Sequence, residues 1–419
     1  MSPARTIFFF FLLAIPAGAQ CTGVPSSQTQ TNVSSAFAEL AGVVVNQLTS
    51  SGKNWNSYQQ VPTYSQATGQ LLLNFQPSTN QITAAAENGG GSQVVSGSQQ
   101  GVWVIVSQDG NWAAYQGQNT DGTTDLYAIH LSAGGVCAPA NLTNLHLSFV
   151  SPAAALIYST SQQNPGDGKQ VFATSEGVTF RTVEQDGSNL TAVNFTAAEG
   201  DAYAANVFHR FRLNPACYGK VWYKRDAANP NPNGTATPPI YVADWTNPAG
   251  GIFNAAIVGG AAVPADHNVW TLDGLSIAFD YNGKWYVNQV LNPNCTWVNG
   301  GSFGNATLVG PAGGDSIDYC SEAPDWSVWA CTRATEAPPA FGGELFLMSW
   351  PGAVTGLALT QSSGSNDNSI PKPVWLDQET IGFTSDAASA GTPQFYAVTG
   401  FPQPSAAPAP PAGLSAMVN

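Results

Sequence analysis

Histidine is scarce in this 419-residue chain, which has 4. Three of them, His146, His209 and His267, open similar phrases: HLSFVSP, HRFRLNP and HNVWTLD. Each stands about six residues before the Pro or Asp of a turn. Neutral imidazoles brought together could hold one divalent metal ion, or serve as acid and base near neutral pH. Each ring could equally pack inside the fold and bond a backbone carbonyl, which would leave no shared site. Beside His209, the stretch HRFRLNPACYGKVWYKRD carries Arg210, Arg212, Lys220, Lys224 and Arg225, out of 12 Lys and Arg in the whole chain. On a strand, Arg210 and Arg212 share a face because side chains alternate. Two guanidinium groups so placed could clamp a carboxylate or phosphate, or could pair with nearby Asp and Glu on a solvated face. The candidate ligand-binding set is therefore His146, His209, His267, Arg210 and Arg212, with the three histidines as candidate metal ligands.

Positioning such a set requires a repeating scaffold, and the sequence contains one. A phrase made of an aromatic or branched residue, a small residue, a turn often carrying Asp, and an apolar pair recurs seven times. The copies are YSQATGQLLLNF from Tyr64, VSQDGNWAAY from Val106, VSPAAALIY from Val150, LNPACYGKVWY from Leu213, WTLDGLSIAF from Trp270, EAPDWSVWAC from Glu322 and WLDQETIGF from Trp375. A second strand follows several of them: DLYAIHL, QVFAT, PIYVADW, GKWYVNQV, ELFLMSW and QFYAVTG. Steps of about 42 to about 63 residues imply an array of small sheets. Two strands joined by an Asp-Gly turn make a hairpin, and two hairpins make a four-stranded blade. One blade alone exposes both apolar faces; packing blades around an axis buries them. The expected fold is all-β, a seven-bladed β-propeller of four-stranded blades, closed by an N-terminal strand in VVVNQLTSSG from Val43. Equivalent positions of consecutive blades are neighbours, so three histidines in register would face one mouth of the central channel.

The turn phrase resembles the TolB-type (WD40-like) repeat, W-S-P-D-G-x-x-I-A-F, most closely at Ser107–Gly110, Trp270–Phe279 and Trp375–Phe383. That resemblance implies a propeller from about residue 40 to 400 and is not specific for a function. Histidines with arginines at a propeller mouth are also similar to the oligogalacturonate lyases. Those are seven-bladed propellers in which histidines hold a divalent metal and acidic pectin fragments are cleaved. Their later, closely spaced histidine pair has no counterpart, because no His follows His267.

The N-terminus, MSPARTIFFFFLLAIPAGAQ, has a basic residue, a short apolar run and Ala17-Gly18-Ala19. This is the three-part form of a secretory signal, too short to span a bilayer. The expected organisation is a signal peptide over 1–19, a flexible linker over 20–36, the propeller over 37–402 and a Pro/Ala-rich disordered tail over 403–419. The chain is expected outside the cytoplasm, secreted or periplasmic, and monomeric. Only 9% of residues are charged, the net charge is -14, and no basic run suits nucleic acid. Six cysteines in an exported chain suggest disulfides. Cys320 and Cys331 flank the turn Pro324–Ser327 symmetrically and should face each other across a hairpin. Cys217 and Cys295 are a second candidate pair, and Cys21 and Cys137 have no assigned partner. No G-x-S-x-G, Walker loop, dinucleotide fingerprint or H-E-x-x-H occurs. The reading favoured is a secreted propeller that binds a protein or carbohydrate ligand at one mouth. The alternative is a metal-assisted polysaccharide lyase or other carbohydrate-active enzyme.

Overall fold

The turn phrase folds alike in separate copies. Ser107 Oγ donates to Asp109 Oδ1 (2.5 Å) and accepts from the Trp112 N–H (2.9 Å), while Asp109 Oδ1 accepts from the Asn111 N–H (3.1 Å). Thr271 Oγ1 and Asp273 Oδ1 do the same for the Ser276 N–H (3.0 Å) and Leu275 N–H (2.9 Å). A hydroxyl and a carboxylate two residues apart thus satisfy backbone donors that a tight turn leaves over. Gly274 is needed at its corner. Its φ is +70, and a Cβ there would lie 2.3 Å from Asn214 Oδ1 of the neighbouring blade.

The computed structural model describes residues 31–401 apart from 39, 51, 58–61, 77–79, 87–92, 96–99, 133–134, 137–138, 146, 149–160, 177–178, 196–207, 226–239, 311–315, 325–327, 335–342, 350–356, 361–371 and 387–390. It is a seven-bladed propeller of antiparallel sheets. In blade one, Lys53–Trp55 and Tyr64–Ser65 both pair with Gln70–Gln76, followed by Gln81–Ala86 and Gln93–Val94. Blade two is Gly101–Val106, Trp112–Gln118 and Thr123–Ser132, with three short outer strands paired to the last. Blade three is Gln162–Gln163, Gln170–Glu176, Thr179–Glu184 and Thr191–Val193. Blade four is Phe208–Leu213, Lys220–Arg225, Tyr241–Asp244 and Ile252–Asn254. Blade five is Asp266–Trp270, Ser276–Tyr281, Lys284–Gln289 and Thr307–Gly310. Blade six is Ser316–Glu322, Val328–Ala334, Gly343–Ser349 and Leu357–Thr360. Blade seven is Val374–Trp375, Ile381–Ser385, Gln394–Thr399 and, from the other end of the chain, Val44–Gln47.

Each seam between neighbouring blades holds its own buried apolar cluster, because alternate residues of a strand face opposite neighbours. Trp222 lies in the seam with blade five, while Val221 and Tyr223 lie in the seam with blade three. Ile277 and Phe279 face blade four, and Ala278 faces blade six. The last seam, between blades seven and one, is filled by Leu48, Leu71, Leu73, Val374, Leu376, Phe395 and Ala397.

Val44 opposite Thr399 and Gln47 opposite Tyr396 bring the early strand to the late one, as the sequence suggests. VSPAAALIY, expected as the third copy of the turn phrase, lies outside the described residues. The inner turn described in blade three is Asn164–Lys169, with QVFAT directly after it as the second strand. Asn164 Oδ1 accepts from the Gly166 N–H (2.9 Å) and Asp167 Oδ1 from the Lys169 N–H (3.1 Å), which caps this turn. The stretch 31–36 carries Thr31–Asn32, paired to Val44–Gln47, and the start of the short helix Ser34–Phe37.

Candidate functional site

Position in the repeat decides which side chains meet. Counting three residues back from the last residue of each inner strand gives Trp103, Arg210, His267, Tyr319 and Lys372 in blades two, four, five, six and seven. In four of these strands the pairing register shifts there, between Val102 and Ile105, Phe208 and Arg210, Asp266 and Val269, and Ile317 and Cys320. Such bulges re-aim side chains. Trp103 (φ 62) and His267 (φ 48) adopt left-handed backbone that non-glycine residues rarely take, as is common where structure serves a site.

These side chains touch one another across blades. Arg210 Nη1 lies 2.9 Å from Asp266 Oδ1, from blade four to blade five. Lys224 Nζ reaches the same oxygen at 3.2 Å and donates to Ala265 O at 3.0 Å. The His267 ring centroid is 4.2 Å from that of Tyr319 in blade six. Lys372 Nζ of blade seven lies 5.2 Å from the Tyr319 ring centre. Tyr319 also joins the buried cluster of Ile105, Ala114 and Phe172, with Trp103 packed against it. Blades two and six are not neighbours, so this contact crosses the axis.

Charge is concentrated around these contacts, and the two lysines are desolvated. Lys372 and Lys224 are each 3% exposed. Burial alone would raise the pKa of Asp266. The charges of His267, Arg210 and Lys224, with the His267 N–H bond, overcome that and hold its carboxyl far below the usual carboxylate range. His267 Nδ1 lies 3.8 Å from Asp280 Oδ2.

Of the five residues singled out by sequence, the structure brings together His267 and Arg210, through Asp266. Arg212 is 2% exposed, buried with its guanidinium carbon 6.0 Å from the Trp222 ring. His209 lies on the inner strand Phe208–Leu213. His146 lies outside the described residues; Leu147–Ser148, just after it, pairs with Thr123–Thr124 as an outer strand of blade two. Tyr319, Lys372, Trp103 and Asp266 were missed. Aligning the copies by their turns and reading the same column would have found the first three.

The donors described around His267 do not fit a divalent cation. Asp266 is already neutralised by Arg210 and Lys224, whose charges repel a further cation. Among the described residues, no group of three or more His, Cys, Asp and Glu could hold a metal ion.

On the other face, where the inner turns lie, Trp270 Nε1 donates to Arg212 O (3.1 Å) and Trp375 Nε1 to Ser321 O (3.0 Å), each joining its blade to the one before. Glu322 holds the equivalent place in blade six and accepts from the Leu272 N–H of blade five (2.7 Å). Burial, reinforced by the charge of Asp273, pushes its carboxyl up to about 8 against the opposing Leu272 bond. Cys320–Cys331 and Cys217–Cys295 are both disulfides, the first across a hairpin and the second between blades four and five. No helix among the described residues is long and apolar enough to cross a membrane.

No family model matches the chain, and no curated protein matches it by sequence. Solved structures do. An oligogalacturonate lyase in complex with manganese is similar over 91% of this chain and 99% of its own, at 14% identity and a TM-score of 0.61. The β-propeller domain of Cps50 (Swd1) from Myceliophteria thermophila is similar over 82% of this chain and 96% of its own, at 9% identity and a TM-score of 0.50. TolB from Acinetobacter baumannii aligns with 75% of this chain and 64% of its own, at 16% identity and a TM-score of 0.38. At these identities the likeness is one of architecture, and what this chain shares with the lyase and the Cps50 domain is the β-propeller fold.

Proposed function

We propose that this protein acts outside the cytoplasm and binds a protein or carbohydrate partner through an anionic group seated at the mouth where the inner strands begin. The observation that carries this reading is the chain of contacts from Arg210 through Asp266 and His267 to Tyr319 and Lys372, across four consecutive blades. Cations removed from water attract a carboxylate or phosphate more strongly than exposed ones. Their concentration here, in a chain of net charge -14, makes the mouth a local positive focus. Trp103, only partly buried, offers flat apolar surface for a sugar ring or an apolar side chain. Two disulfides and the signal-like N-terminus support an oxidising compartment.

Calorimetric titration tests this with three probes: an acidic oligosaccharide such as an oligogalacturonate, the neutral oligosaccharide of the same length, and an acidic peptide. The expected result is binding of an anionic probe, weakened by salt and reduced at least tenfold in Arg210→Ala. Equal binding by Arg210→Ala, or no binding of either anionic probe, would overturn the reading. The second reading, a metal-assisted polysaccharide lyase, is supported by the histidine pattern and by the likeness of fold to a manganese-bound lyase. It requires His146 and His209 to join His267. One divalent ion per chain, lost in His209→Ala, would favour it; metal-free protein that cleaves no acidic oligosaccharide after divalent ions are added would dismiss it.

A further inference from the structure

On the turn face, opposite the mouth, blade five carries a loop over 290–306 between its third and fourth strands. In an antiparallel blade that connection emerges on the same face as the inner turns. The Cys217–Cys295 disulfide confirms the placement by tying the loop to the inner turn of blade four. The loop is internally bonded: Asn292 N–H to Thr296 O (2.8 Å), Cys295 N–H to Asn292 O (2.8 Å) and Val298 N–H to Val290 O (3.0 Å). Trp297, Phe303 and Phe253 from blade four form an aromatic triad with centroids 5.4, 6.0 and 6.3 Å apart. All three rings stay partly exposed. The Asn299–Gly301 turn packs on Phe253 so closely that a Cβ on Gly301 would lie 2.0 Å from its Cδ1.

The rim has a definite chemistry. Asn294, Thr296, Asn299, Ser302 and Asn305 are exposed, and residues 290–310 include no charged residue and no histidine. Lys220 brings a charge beside the loop: its Nζ lies 4.9 Å from the Trp297 ring centre and pairs with Asp244. An anion or cation would find no opposite charge left over in this pair. Amides and hydroxyls both donate and accept, as sugar hydroxyls do. Aromatic rings offer apolar area that matches the C–H face of a pyranose. The disulfide and the loop's own bonds hold the surface ready, which lowers the ordering cost of binding.

We propose that this loop is a second binding surface, for a neutral saccharide chain, independent of the anionic site at the mouth. The test is affinity electrophoresis and a glycan array with the intact protein. The gels contain neutral β-glucan, galactomannan or arabinoxylan, with polygalacturonate as the charged comparison. At least one neutral polysaccharide should retard the protein. Trp297→Ala should lose retardation about tenfold, Trp297→Phe should retain most of it, and Arg210→Ala should leave it unchanged. Near-ultraviolet circular dichroism and disulfide mapping establish that the variants are folded. If no neutral glycan binds, or if folded Trp297→Ala binds like the parent, the proposal fails whether or not the mouth binds anions.

Discussion

Glu322 stands where its counterparts in blades five and seven are tryptophans, and its titration follows from that. Its carboxyl ionises near 8 in the fold and near about 4.3 in an unfolded chain. Between those values the unfolded state releases the proton first, so this group lowers stability as pH rises from about 4 to about 8. Glu322→Gln should therefore raise the melting temperature at pH 8 and flatten its dependence on pH over that window, with little effect at pH 4. A variant that melts lower at every pH would show the carboxyl to be ionised and bound. Asp266 has the opposite sign: its depressed pKa contributes stability above about 3.9, lost as pH falls towards the folded value. Asp266→Asn should lower the melting temperature at pH 7, and the gap from the parent should narrow below about pH 4. Equal gaps at both pH values would mean that the ion pairs with Arg210 and Lys224 contribute nothing. Sequence reading singled out His267 and Arg210, which the structure places beside each other through Asp266, because rare or clustered residue types draw attention. It passed over Tyr319 and Lys372 because a tyrosine or lysine is unremarkable until its column in the repeat is known.

At the scale of the hairpin, the turn is the legible unit. Ser107 with Asp109 and Thr271 with Asp273 use a side-chain code that can be read directly from the sequence. The Asn164–Lys169 turn of blade three is not legible by that code, because it splits its caps between Asn164 and Asp167. The disulfides follow the same logic. Cys320 and Cys331 are cross-strand partners, and their symmetry about a turn is visible in the sequence. The partnership of Cys217 with Cys295 depends on a loop leaning onto the preceding blade, which spacing alone does not encode. Chain entropy gives about 4.5 kcal/mol for the longer loop and about 3 kcal/mol for the shorter. Removing both Cys217 and Cys295, as Ala, should thus lower the denaturation midpoint more than removing Cys320 and Cys331. The reverse order would mean that the buried pair in the seam between blades five and six matters more for packing than for chain restriction.

Across the whole ring, the fold class and blade number were legible because a repeat of this length has few ways to bury both faces of each sheet. The closing strand was legible only as a leftover, an apolar stretch before the first full copy. Deleting residues through Gln47 should uncover the edge of Gln394–Thr399 and remove Val43 and Val45 from the seam with blade six. The shortened protein should melt lower and associate through that edge, as seen by scattering and calorimetry. A monomer with unchanged melting would mean that the ring holds without its early strand.

That strand also has a schedule. Synthesis at about 5–20 residues per second puts roughly tens of seconds between the emergence of Val44 and that of its partner Thr399. Until Thr399 exists, the first-made segment has no partner strand, whichever compartment the chain folds in. Its sequence suits the wait: beyond Val45 come Asn46 and Gln47, polar residues that offer little to a chance hydrophobic partner. The finished ring therefore records the end of translation, since its final seam cannot be sealed until almost the last residues of the propeller have appeared.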